Sequence, residues 1–319
     1  MKILHFGSYW QKENDIVYAM AKDLSEGYDA ILIDTHLYDN KRSDFIESDF
    51  DNPKDIRWIS TKYVQELIYD NLIDVVIVNA GGISLKLDYI NSLKKTGVKT
   101  IGISLSDPDV YEYNGKIYSQ HYDFYYTNSI KSINTQYINN SNIDLLPFAA
   151  SKRIHYPINA NKVHDVVIVG SYRTDRIEII KELKKHFNIG IYGDGWKEKG
   201  ISSYGNVNGK DHIAAIGSGK IYLSFSGTAA GYENVKVGLF EAVACKTCVV
   251  THEFEELNNY FKRDEEIVTY TNIRDLIEKI KFLLADEKKI IDIAENSYNR
   301  FLKEHTWEIR WKKVISKIE

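Results

Sequence analysis

HDVVIVGSYRTDRIEIIKEL, residues 164–183, opens with an apolar run, turns at Gly170 and Ser171, and continues as an amphipathic pattern over 174–186. An unbroken apolar run suits a strand covered on both faces, and a glycine lets the chain turn tightly out of it into a helix. The same alternation continues downstream. Apolar runs at 189–193, 220–226 and 247–251 are separated or followed by helical patterns at 209–217, 234–245 and 272–284. Upstream, runs at 2–6, 29–34, 74–79 and 98–105 alternate with amphipathic stretches such as 61–70 and 84–95. Continuous apolar strands alternating with helices predict parallel sheets with helices on both faces. The fold class is therefore α/β, with two doubly wound Rossmann-like domains. The strandless polar segment SKRIHYPINANKVH (151–164) separates the two series. The expected divisions are 1–153, 154–304 and a C-terminal helix over 305–319 that returns to the first domain. The stretch 287–319 reads as two helices broken near KEHTW.

The 319 residues are 44% hydrophobic and 27% charged, enough apolar content for two ordinary cores. A formal charge of -4 argues against a general electrostatic grip on nucleic acid or anionic membrane. MKILHFGSYW reads as a strand and loop rather than a signal peptide, and no run is long enough to span a bilayer. A cytoplasmic protein is the expectation. The two cysteines, Cys245 and Cys248, end a helical pattern and open a strand, so they read as small buried side chains. No further ligands stand at a zinc-like spacing from them, and no metal is expected.

GYENVKVGLFEAVACKTCVVT, residues 231–251, places Glu233 just before a helical pattern and Glu241 inside it, with seven residues between. Helix chemistry alone accounts for acids at such places. If the helix starts near Asn234, the two lie about 12 Å apart along its axis, which suits hydroxyls at both ends of a long ligand. A phosphate between them would meet the free N–H groups of the helix start. A nucleotide-diphosphate sugar has that layout.

This segment resembles the donor-binding segment of GT-B glycosyltransferases, in particular a bacterial group related to spore maturation proteins. VGSYRTDRIEIIKEL (169–183), YGDGW (192–196), FEEL (254–257), EIVTY (266–270) and HTWEIRW (305–311) match that group in order. In the first half the likeness is limited to SDPD (106–109) and LPFAAS (146–151). The resemblance implies two domains facing across a cleft, with a nucleotide sugar held by the second. It implies that Glu241 contacts the ribose, that Glu233 lies near the donor sugar, and that Lys236 meets the diphosphate. Arg173 and Arg176 beside Gly170 and Ser171 would join Lys236 there, and Tyr192, Gly193, Asp194, Gly195 and Trp196, with Asn206 and Val207, would line the base pocket. Tyr232, Asn234 and Val235 complete the donor segment. Two positions depart from the group's pattern: Gly238 stands for an arginine, and Lys246 for a glycine.

On the acceptor side, Asp107 follows an apolar strand and begins DPD. It reads either as a base for the acceptor hydroxyl or as a turn-forming Asp-Pro. Gly7, Ser8, Tyr9 and Trp10, with Gly81 and Gly82, could line the acceptor side or serve as tight turns and core. The implied activity is metal-independent, cofactor-free sugar transfer, retaining by resemblance, or inverting if Asp107 is the base. The acceptor would be a glycan, a protein or a small molecule. An epimerase or phosphorylase on the same fold, and a non-catalytic sugar-binding or surface-assembly protein, remain alternatives, since fold alone does not establish activity.

Overall fold

The structure is a computed structural model that describes residues 1–9, 16–35, 46–49, 56–79, 83–228 and 231–319. The chain divides into two compact units, one of Met1–Pro147 with Arg310–Glu319 and the other of Phe148–Ile309.

The first unit carries β1 (Lys2–Gly7), α1 (Ile16–Gly27), β2 (Asp29–Asp34), β3 (Ile46–Asp49), β4 (Ile56–Ile59), α2 (Thr61–Asn71) and β5 (Val75–Asn79). It continues with β6 (Ile83–Ser84), α3 (Leu87–Leu93), β7 (Lys99–Ser104), α4 (Gly115–Tyr118), β8 (Phe124–Thr127), α5 (Ile130–Thr135) and β9 (Ile143–Leu145). Its main sheet has the order β2-β1-β5-β7-β8-β9, every pairing parallel. VVIVN in β5 is buried at every residue, which is why its sequence shows no alternation. A small sheet, β3-β4-β6, pairs antiparallel and then parallel. Neither that sheet nor β8 and β9 was evident in the sequence pattern. The aromatic run FYYT of β8 is short and flanked by other tyrosines.

The second unit holds β10 (His164–Val169), α6 (Ile177–Leu183), β11 (Ile189–Tyr192), α7 (Lys210–Gly217), β12 (Gly219–Ser224) and α8 (Val237–Ala244). After these come β13 (Cys248–His252), β14 (Val268–Tyr270), α9 (Ile273–Leu284), α10 (Glu287–Glu304) and α11 (Trp307–Ile315). Its sheet runs β11-β10-β12-β13-β14, all parallel. The core beneath it joins Val166, Ile168, Ile221, Val250 and Trp196 to Leu276 and Ile280 of α9. Strand order reverses between β10 and β12, and doubly wound sheets bind ligands beyond the carboxyl ends of the strands at such a point.

The break between α10 and α11 falls at His305, and from Arg310 onward α11 belongs to the first unit. There Trp311, 1% exposed, donates its indole N–H to the carbonyl of Met20 at 2.7 Å. Lys317 pairs with Asp144, and Arg310 donates to the Pro147 carbonyl. Among the described residues, no helix is long and apolar enough to cross a membrane.

Candidate functional site

Four loops of the second unit meet at the carboxyl ends of β10 to β13. After β10 the chain turns at Gly170, whose φ of 150° favours glycine. Gly193, after β11, packs so closely that a Cβ there would stand 2.2 Å from the Gly170 carbonyl oxygen. Trp196 donates its indole N–H to that same oxygen at 2.8 Å, and Tyr172 N–H bonds the Asp194 carbonyl. YGDGW therefore clamps the Gly170–Ser171 turn. Trp196 is fully buried and shapes the turn from below rather than lining a pocket. Tyr192 points elsewhere: its ring stacks on Tyr204 at 4.8 Å and its hydroxyl approaches His164 and Ser218, at the amino ends of β10 and β12. Asp194 is exposed, Gly195 has φ 80°, and Val207 is half-buried.

Arg176 donates to the Ser171 carbonyl at 3.0 Å and lies 4.9 Å above the Phe225 ring. Burial lowers its pKa, and its Nε has no hydrogen-bond partner. Arg173 is paired with Asp175 at 3.1 Å, and the Asp175 carboxylate closes on Gly227. Of the two arginines expected at the diphosphate, Arg176 is thus stacked on a ring and Arg173 is paired with an aspartate.

α8 begins at Val237 rather than near Asn234. The residues before it are extended: Glu233 bridges Gly227, and Asn234 N–H bonds the Ser226 carbonyl. Those contacts hold the chain out of the helix, so helical rise does not set the spacing of the two acids over 233–236. Tyr232 is half-buried, while Asn234 and Val235 are buried. Lys236 is the N-cap and provides no side-chain cap; Leu239 N–H bonds the Lys236 carbonyl at 3.1 Å, and the N–H groups of Val237 and Gly238 are left as the helix-start donors for an anion.

Glu233 is about a third exposed, and one of its oxygens, Oε1, takes two short contacts. Ser226 Oγ donates at 2.6 Å, and His252 Nδ1, at the end of β13, lies at 2.6 Å. Sequence reasoning missed His252, whose only signal was its place at a strand's carboxyl end. It also missed Glu256 in FEEL, half-buried near Lys236. Burial raises the Glu256 carboxyl to about 6, against the lowering effects of Tyr260 and Lys236.

Glu241, on α8, is 7% exposed. His155 Nε2 lies 3.6 Å from its Oε1 and His212 Nε2 3.3 Å from its Oε2. Burial raises the Glu241 pKa, but the two imidazoles outweigh it and the net shift is downward. Gly238 has a local reason: a Cβ there would meet the hydroxyl of the buried Tyr222 at 2.7 Å. Lys246 takes φ 56°, the left-handed conformation that explains a glycine at this place. Both cysteines are buried, and burial pushes Cys248 up to about 12.

In the first unit, Asp107 is 2% exposed and its Oδ2 accepts from Thr127 at 2.7 Å and Tyr137 at 2.8 Å. Burial raises its pKa. These contacts favour the turn reading over a base exposed to an acceptor. Tyr9 is buried against His5, Gly7 faces the Tyr9 ring, and Ser8 is half-buried. Trp10, Gly81 and Gly82 lie outside the described residues.

Residues 173–316 match the glycosyl transferase-like family. That segment contains Arg176, Glu233, Lys236 and Glu241. Over the whole chain the architecture is that of GT-B glycosyltransferases. A sucrose-phosphate synthase from Thermosynechococcus elongatus superposes with a TM-score of 0.68 at 13% identity, covering 100% of this chain and 99% of that one. The Anabaena protein HepE in complex with UDP and glucose gives 0.63 at 10% identity, with 100% and 99% covered. A glycosyltransferase from Rickettsia africae gives 0.64 at 14% identity, with 99% and 97% covered. At such identities the likeness concerns fold. No curated protein sequence matches the chain.

Proposed function

We propose that the protein is a glycosyltransferase that moves a sugar from a nucleotide-diphosphate donor to an acceptor hydroxyl. The observation that carries this is the placement of Arg176 after β10 and of Glu233 and Lys236 after β12, the two strands between which the order of the second sheet reverses, beside a helix start without a side-chain cap. In this reading the diphosphate lies on the first turn of α8, with Lys236 and Arg176 beside it. The bond from sugar C1 to the phosphate oxygen breaks with its electron pair going to the diphosphate, and those cations stabilise the charge that develops. The acceptor oxygen forms the new bond to C1, and its proton passes to the departing diphosphate oxygen. Glu233, fixed through Oε1, presents its other oxygen to the donor sugar, and Glu241 holds the ribose hydroxyls. The first unit serves the acceptor. Transfer is metal-independent with retention at C1, as the resemblance implies, and UDP is the first nucleotide to test because HepE was solved with UDP and glucose.

The test is thermal stabilisation by a panel of nucleotide diphosphates and their sugars, with Glu233→Gln and Glu241→Gln alongside wild type. A ligand at about 100 times its Kd stabilises the native state by about 2.7 kcal/mol. One nucleotide should raise the wild-type melting temperature and lose most of that effect in Glu241→Gln. Glu233→Gln should keep nucleotide binding and lose at least about 100-fold in turnover, on the order of 2.7 kcal/mol of barrier. No shift with any member of the panel would remove the donor reading. The anomeric configuration of the product, read by NMR, decides retention.

A further inference from the structure

Glu241 sits among two histidines that do not hydrogen-bond it well. The His155 contact, 3.6 Å, is beyond hydrogen-bond range. The His212 contact is closer, at 3.3 Å, yet no well-formed hydrogen bond satisfies His212 Nε2. One ring nitrogen from each histidine and one carboxylate oxygen all lie within 4.8 Å of one another. The rings meet edge to face, 69° apart with centroids 5.9 Å apart, so they converge rather than stack. Donor atoms about 2.0–2.1 Å from a tetrahedral zinc ion are about 3.3 Å from each other. His155 faces Oε1 at 3.6 Å and His212 faces Oε2 at 3.3 Å. A small rotation of the side chains brings both rings and one carboxylate oxygen to that spacing.

We propose that His155, His212 and Glu241 form a site for one divalent transition-metal ion of the zinc type. An ion between them gives all three groups a partner at once, which their mutual contacts do not. Two imidazoles and a carboxylate match the borderline softness of zinc and leave a fourth position open. The side chains of His155 and Glu241 are 3% and 9% exposed, whereas that of His212, at 14%, provides the path of entry. The residues come from the segment before β10, from the first turn of α7 and from the middle of α8. The ion acts as an inhibitor: it occupies the carboxylate assigned to the ribose, so metal and nucleotide exclude each other. That consequence rests on the proposed function, whereas the metal site itself does not.

The experiment is calorimetric titration of Zn2+ into the full chain, free of any affinity tag and stripped with chelator. Wild type should bind one ion per chain, and His212→Gln and His155→Gln should each weaken binding at least about tenfold. Circular dichroism and melting in EDTA establish that the variants are folded. Co2+ in the wild type provides a measurement independent of any variant, through the intense visible bands of a tetrahedral complex. Absence of stoichiometric binding, or equal binding by both folded variants, overturns the site. Saturating UDP should raise the apparent Zn2+ Kd, and Zn2+ should raise that for UDP by the same factor. Simultaneous binding with no such factor overturns the inhibitory role. UDP that fails to bind at all counts against the donor reading alone, since the zinc titration uses no nucleotide.

Discussion

At the scale of single residues, Lys246 shows how a departure from an expected pattern can be absorbed. Its N–H bonds the Val243 carbonyl and the next N–H, of Thr247, bonds Ala242. That is a Schellman ending, with Lys246 in the position that usually belongs to glycine. A side chain held in the left-handed region costs about 1 kcal/mol. The lysine has local compensation from an ion pair with Glu295 and a place over the Tyr298 ring. Comparing Lys246→Gly with Lys246→Ala isolates the backbone effect, because both lose those contacts. The glycine variant should be more stable by about 1 kcal/mol in urea denaturation, and equal midpoints would remove the backbone account. The family resemblance made this position legible, since the group's pattern has a glycine there. The convergence of His155, His212 and Glu241 had no such mark. Their separations in the chain follow no metal-ligand pattern, and only the packing of α7 and α8 with the segment before β10 brings them together.

Among elements, strands covered on both faces were readable because burial removes alternation: VVIVN and CVVTH are buried along nearly all their length. What pattern could not reach was the start of α8. Apolar periodicity continues back to Asn234, but the bridge from Glu233 to Gly227 competes for the backbone and delays the helix to Val237. The delay leaves Lys236 at the cap, where Glu256 acts on it electrostatically. If a diphosphate binds at α8 as proposed, this arrangement makes its binding dependent on pH. The Glu256 carboxyl is raised from 4.5 to about 6, so it is neutral below that pH and becomes an anion as pH rises through it. An anion beside Lys236 opposes a bound diphosphate. Glu256→Gln should therefore tighten nucleotide-diphosphate binding about threefold at pH 8, within the range of a partly exposed charge pair. At pH 5 the affinities should match. The ratio of variant to wild-type affinity cancels titration of the nucleotide itself, and a ratio flat with pH would reject the coupling.

At the scale of the whole molecule, the chain closes its first unit with residues that come last. Trp311, on α11, reaches the Met20 carbonyl with its indole and lies edge-on to His5 at 6.3 Å. His5 is buried there with its pKa lowered to about 3, because burial penalises the charged ring. The HTWEIRW motif was legible as a family resemblance, but its physical duty appears only when Trp311 is seen to fill the space beside β1 and α1. Truncation to alanine leaves a cavity and a carbonyl without its donor. A buried tryptophan removed in this way costs about 3–5 kcal/mol. That loss belongs to the unit made by Met1–Pro147 and Arg310–Glu319. Native-state hydrogen exchange of Trp311→Ala should accordingly show faster exchange in β1, β5 and α1, by at least about 100-fold. Amides of β10, β12 and β13 should exchange as in wild type, and the zinc and nucleotide affinities of the second unit should stay within about twofold. Equal acceleration in both sheets would mean that the two units unfold as one cooperative body, so that a defect in either is felt by the whole chain.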